Sequence, residues 1–209
     1  MSIQSALVIG AGSGVGQATA GALTAAGARV LAAGRERDAT DPAQVAALVA
    51  EAEPDLVVVA AGTRPRMASI EEQTWESFSA PWNVDVRIAF EVGRAALARP
   101  LRPGSTVLIM SSGAGLDGSP LSGGYAGAKR TQMFLARYLQ RESDARGLGI
   151  RFVALAPRQF IAGTLENSQD NMRRWLMDTQ HVKPGTAMPQ LGVREQDARD
   201  MAGYLATLR

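Results

Sequence analysis

The chain has 209 residues and a mass of 22.0 kDa, with 46% hydrophobic and 20% charged residues and a formal net charge of +2. That balance fits a folded domain of ordinary size and excludes a disordered chain, and the scattered basic residues argue against a nucleic-acid partner. There is no cysteine and a single histidine, His181, which excludes disulfides, thiol catalysis, cysteine metal sites, thioether-bound haem and a polyhistidine metal centre. No apolar run approaches the ~18 residues that span a bilayer. Met1 to Ile9 carries no positive charge and runs into a glycine cluster, unlike a secretory signal. The expectation is a soluble cytoplasmic protein, without membrane or metal partners, whose chemistry uses hydroxyls, amines, amides and a borrowed cofactor.

Short apolar runs alternate with longer amphipathic segments. Ala6–Ile9, Arg29–Ala33, Leu56–Ala60, Thr106–Met110 and Arg151–Leu155 read as buried strands. Helical patterns fill 14–26, 42–52, 82–98 and 125–146. Asp41 before Pro42 is a helix start, and Ser69 with Glu72 has the spacing of a capping box. This alternation predicts an α/β fold, a doubly wound Rossmann-like parallel sheet. Between Ala33 and Asp41 there is no room for a helix, so one crossover is trimmed to a loop with a stub of strand, making six strands in all. After Pro157 the β-branched runs stop, and the remainder reads as two helices joined by the Pro/Gly-rich loop Lys183–Gln190. The expected division is 1–157, a nucleotide-binding and catalytic domain, and 158–209, an atypical helical tail packing on it.

The first strand opens into Gly10-Ala11-Gly12-Ser13-Gly14-Val15-Gly16 and then a helix. The spacing GxGxxG fails in every frame, whereas GxxxGxG fits Gly10, Gly14 and Gly16. Glycines there let the backbone approach a diphosphate, which the helix N-terminus attracts. The same glycines also suit a tightly packed turn with no ligand. At the end of the second strand, Ala33-Gly34-Arg35 offers no acid at Gly34 for a ribose 2′-hydroxyl, and Arg35 suits a 2′-phosphate, pointing to NADP(H). Tyr125 and Lys129 stand at i and i+4 on one helix face in a chain with two lysines and three tyrosines. A free phenol keeps its proton to well above neutral pH, and an adjacent ammonium favours its ionised form.

On these motifs residues 3–157 resemble the short-chain dehydrogenase/reductases: glycine loop, a turn after the fourth strand, an asparagine helix, a serine strand end, then YxxxK. The resemblance implies a catalytic tetrad of Asn83, Ser112, Tyr125 and Lys129. It also implies a nucleotide site drawing on Ser13, Val15, Arg35, Asp38, Ala61 and Gly62, with Asp38 matching the carboxylate that contacts adenine. It further implies a small carbonyl or alcohol as substrate and a homodimer or larger homo-oligomer built on the helices at 82–98 and 125–146. The turn reads Ala60-Ala61-Gly62 where the family has Asn-Asn-Ala-Gly, removing side chains that brace the sheet. Pro157-Arg158 stands where the family has Pro-Gly. A non-catalytic NADP(H)-binding protein whose substrate lobe has been lost or replaced is the alternative.

The tail differs. Trp175-Leu176, Val182 to Pro189 and Gln196 to Leu205 are similar to the C-terminal half of a bacterial cytochrome c domain, with Met188 at the axial-ligand position. The CxxCH attachment motif is absent, so no haem is expected, and a diverged substrate lobe is the other reading. With Leu208 and Arg209 alone after the last helix, no seventh strand is expected.

Overall fold

The computed structural model describes residues 3–12, 14–157, 170, 173, 174, 177, 178 and 194–207. The chain divides into two compact units, Met1–Gln159 and Phe160–Arg209.

The first unit is built on five parallel strands, β1 (Ser5–Ile9), β2 (Arg29–Ala33), β3 (Leu56–Val59), β4 (Thr106–Met110) and β5 (Arg151–Leu155), in the order β2-β1-β3-β4-β5. Strand side chains alternate between faces. The register therefore sets Leu31, Leu7, Val57, Val107 and Phe152 in one row across the sheet. That row faces α2 (Pro42–Ala52), α4 (Arg87–Ala98) and α6 (Gly123–Ala145), which add Val45, Leu48, Ile88, Val92, Ala136 and Leu139 to one core. The opposite face places Val8, Val58 and Met110 in a smaller cluster, with Val15, Ala20 and Leu23 of α1 (Gly14–Ala25) packed on it. Full burial of each large aliphatic side chain contributes about 1.5–3 kcal/mol.

The expected sixth strand is absent among the described residues. Between Ala33 and Asp41 the chain turns instead of extending: Asp38 Oδ1 accepts from Thr40 N at 2.9 Å and Thr40 Oγ1 at 2.7 Å, and Glu36 Oε1 accepts from Gly34 N at 2.7 Å. Side-chain acceptors here satisfy the amides that a ladder would need. Asp41 caps α2 as expected, accepting from Ala43 N at 2.8 Å ahead of Pro42. Ser69 and Glu72 bracket only a 3-10 turn, Ile70–Glu72, with Ser69 N donating to Glu72 Oε2 at 3.4 Å.

The helix expected over 82–98 begins earlier and is interrupted. It comprises α3 (Trp75–Pro81), a π turn (Trp82–Val86) and α4. Pro81 lacks the N–H that would continue the α ladder, and the chain widens: Arg87 N reaches back to Trp82 O. The rings of Trp75, Phe78 and Trp82 stack in sequence at 6.1 and 5.9 Å.

In the second unit α7 (Glu195–Thr207) buries Ala198 and Ala202, and Arg173 bridges Asp170 at 2.7 Å and Glu195 at 3.0 Å. Met188, Trp175, Leu176 and the 182–189 loop lie outside the described residues. Among the described residues no helix is long and apolar enough to cross a membrane.

Candidate active site

The motif residues gather at the carboxyl ends of β1, β3 and β4, the end at which parallel α/β sheets bind ligands. Gly10 follows β1 with φ +90, and its N and that of Ala11 donate to Ala33 O at 2.8 and 3.1 Å, fastening the loop to β2. A Cβ on Gly10 would collide with the backbone of Ala60 and Ala61, and one on Gly16 would collide with Gly10 O. These two glycines are required by packing. Gly14 has φ +54 with open space beyond it, and Gly12 has nothing within 4 Å of a Cβ position. Packing therefore leaves Gly12 unexplained, and the cradle there opens at the N-terminal end of α1. Such a cradle fits a dinucleotide phosphate. Ser13 lies outside the described residues, and Val15 packs against the smaller core cluster.

Arg35 and Asp38 sit on the exposed loop after β2. Side-chain and backbone hydrogen bonds from Thr40 hold the Asp38 carboxyl below its ordinary range. Glu36, which sequence reasoning passed over, curls back so that its carboxylate fills the space a side chain at Gly34 would occupy. Backbone amides of Glu36 and Gly34 lower its carboxyl.

Tyr125 and Lys129 lie in the first turns of α6, which come close to α3 because Gly124 faces the Phe78 carbonyl and Gly127 faces the Trp82 ring. Gly115 of the short helix α5 (Ala114–Asp117) packs on the backbone of Lys129 and Arg130. Ser111 Oγ donates to Lys129 O at 2.8 Å, tying α6 to the end of β4. Ser112, one residue on, is half-buried, and its Oγ accepts from Ala114 N at 3.2 Å. The ammonium of Lys129 stands 5.4 Å from the Tyr125 ring centroid. It also donates to Met110 O at 3.3 Å, and the residue is 6% exposed.

Asn83 is exposed on the π turn. The residue of this segment that reaches Lys129 is Asp85, fully buried, with Oδ2 3.1 Å from Nζ. Asp85 Oδ1 accepts from Thr63 N at 2.7 Å and Thr63 Oγ1 at 3.1 Å, and its carboxylate lies against Gly62, where a Cβ would come within 2.8 Å. Thus the turn Ala60-Ala61-Gly62, which lacks the family's bracing asparagines, is braced from α4's side by Asp85. Ala61 touches Gly10, Gly62 touches Asp85, and Asp85 touches Lys129, one unbroken line across the site. Sequence reasoning passed over Asp85, because the resemblance pointed to the asparagine of the segment. Helical spacing carried the signal: Asp85, Ile88, Ala89, Val92 and Ala96 fall at i, i+3, i+4, i+7 and i+11, and all are buried.

Comparison with known proteins agrees with this architecture. A family model described as Enoyl-(Acyl carrier protein) reductase matches residues 32–207, running well past the last motif at Pro157. A short-chain type dehydrogenase/reductase of Sinorhizobium fredii is 30% identical over 170 residues, 73% of this chain and 68% of that protein. The crystal structure of a short chain dehydrogenase from Mycobacterium avium superposes with a TM-score of 0.60 at 25% identity, covering 74% of this chain and 69% of that one. A 62-residue stretch, 29% of the chain, is 36% identical to cytochrome c oxidase subunit 2 of Alkalihalophilus pseudofirmus and covers 18% of it. Glycine loop, lysine-paired tyrosine and parallel sheet thus come in the same chain as matches that span most of it, and the chain belongs to the short-chain dehydrogenase/reductases, oxidoreductases that use a nicotinamide cofactor.

Proposed function

We propose that the protein interconverts a carbonyl and a secondary alcohol using NADP(H), with Tyr125 as the acid/base. The observation that carries the reading is the placement of Lys129, a buried lysine whose ammonium is fixed beside the Tyr125 ring at the carboxyl end of the sheet. When bound, the nicotinamide supplies the hydride for reduction or accepts it in oxidation. Tyr125 gives the carbonyl oxygen its proton in reduction and takes it back in oxidation. Ser112 keeps its hydroxyl proton free for the substrate oxygen, because its Oγ acts as an acceptor toward Ala114 N. Lys129 orients the nicotinamide ribose. Gly10, Ser13, Gly14, Val15 and Gly16 with Ala61 and Gly62 hold the nucleotide, and Asp38 faces the adenine.

Arg35 supports NADP(H) over NAD(H), since the neighbouring acid, Glu36, is already engaged by Gly34 N. A guanidinium–phosphate contact contributes about 1.5–3 kcal/mol, so Arg35→Ala loses roughly ten- to a hundredfold in NADPH affinity with NADH little changed. Equal losses for both nucleotides reduce Arg35 to a structural role. Two copies pairing through α4 and α6 would cover Phe90, Phe134 and Tyr138, which are exposed there. Mass measurement in solution reads that assembly directly.

The ion pair of Lys129 with Asp85 favours a second reading, a non-catalytic NADP(H)-binding protein, because it engages the ammonium that the phenol needs. Turnover separates the two. NADPH is mixed with a panel of ketones and aldehydes, and the absorbance of the reduced nicotinamide is followed. Tyr125→Phe abolishes turnover and leaves NADPH binding nearly intact if Tyr125 is the proton donor. Retention of most of the rate removes Tyr125 from that role, and binding without turnover by the unaltered protein selects the second reading.

A further inference from the structure

A carboxylate next to the site lysine is a departure with a consequence for charge. Asp85 is held from both ends: Gln132 Nε2 donates to its carbonyl at 2.9 Å, and Thr63 donates twice to its carboxylate. Its other oxygen has no hydrogen-bond donor in good alignment and faces the Lys129 ammonium at 3.1 Å. A buried carboxylate is stable only with such a partner. Lysine and aspartate together carry no net charge, so Tyr125 is next to a neutral pair and not a lone cation. The other charged groups on elements packed around α6 are spent elsewhere. Glu91 on α4 pairs with Arg94 at 2.8 Å, Arg151 on β5 bonds Thr106, and Arg130 on α6 reaches Gly115 O. Glu76 on α3, Arg87 on α4 and Asp117 on α5 are exposed.

We propose that Asp85 is a positioning residue that clamps Lys129 to the Gly62–Thr63 turn and cancels the ammonium's charge beside Tyr125. The consequence for turnover rests on Tyr125 being the acid/base, whereas the clamp and its electrostatic effect do not. Asp85→Asn is the discriminating change, because an amide oxygen still accepts from Thr63 while the negative charge is gone. Removing a nearby negative charge eases the loss of a proton from a phenol.

The test uses the full chain without nucleotide. Its three tyrosines are Tyr125, Tyr138 and Tyr204, so ultraviolet titration of phenolate, minus the same titration of Tyr125→Phe, isolates Tyr125. In Asp85→Asn the Tyr125 phenolate forms at a lower pH than in the unaltered protein. Lys129, one of only two lysines with Lys183, is acylated faster once unclamped, read by peptide mass. If Asp85→Asn does not fold, Asp85→Ser serves for both readouts. Phenolate forming at the same or a higher pH overturns the charge effect, and unchanged acylation of Lys129 overturns the clamp. If Tyr125→Phe retains turnover while Asp85→Asn shifts the phenolate, the proposed reaction fails and the role of Asp85 stands.

Discussion

Two aspartates stand at opposite ends of the sheet, and both gather hydrogen bonds from several elements. Asp55, just before β3, accepts from Gln4 N at 2.9 Å and Ser5 N at 3.1 Å and pairs with Arg102 at 2.7 Å. It fastens the starts of β1, β3 and the approach to β4. Asp85, at the carboxyl end, accepts from Thr63 and pairs with Lys129. The difference is solvent. The Asp55 side chain is 28% exposed with a partner that is 64% exposed, whereas Asp85 and Lys129 are 0% and 8% exposed at the side chain. Water screens the first pair, so Asp55 acts chiefly as an acceptor for backbone amides. Burial shields the second from solvent, so its two charges depend on each other. A network of the same composition is a brace at one end of the sheet and a charge-setting device at the other.

The largest test of this contrast is Asp85→Ala. It strands a buried ammonium and frees the turn after β3, and it should lower stability by about 3–5 kcal/mol, measured by denaturant unfolding. Asp55→Ala should cost less, about 1–3 kcal/mol, the penalty of leaving part-buried amides without an acceptor. If Asp55→Ala proves the more damaging, the contrast is wrong. Arg102→Ala comes last at under about 1 kcal/mol, because the guanidinium lies mostly in water.

Acid sharpens the comparison further. Burial pushes the Asp55 carboxyl up, but the amides of Gln4 and Ser5 and the Arg102 guanidinium outweigh it and hold the group below its ordinary range. A carboxyl lowered in the folded state contributes stability that is complete above its unfolded value of about 4 and is lost as pH falls through the lower folded value. Asp55→Asn should therefore narrow the stability difference from the unaltered protein as pH drops below about 4, followed by unfolding at a series of pH values.

Much of the frame was legible because it is local. Ser5–Ile9, Arg29–Ala33, Thr106–Met110 and Arg151–Leu155 match their apolar runs to within a residue, and α2 matches its proline start and its last alanine. Misreadings came where a local signal met a competitor. The stub of strand after Ala33 lost to the Asp38–Thr40 turn. The helix read as 82–98 opens as a π turn, Trp82–Val86, directly after Pro81. Asp85 was passed over, although its spacing with Ile88, Ala89 and Val92 already marked it as the buried member of its segment.

The sequence by itself determined the alternation of strands and helices, the glycine loop after β1 and the pairing of Tyr125 with Lys129. Each of these is a matter of neighbours a few residues apart, where periodicity and backbone sterics decide. Tertiary structure alone decided which glycines of the loop serve packing and which leave room for a ligand, because Gly10 and Gly16 are constrained by Ala61 and by each other across the fold. It also decided that Asp85 meets Lys129. Gly10 with Ala61, and Asp85 with Lys129, join elements far apart in the chain. Spacing can mark a residue as buried, but which partner it meets is selected by close packing between elements, which spacing does not encode.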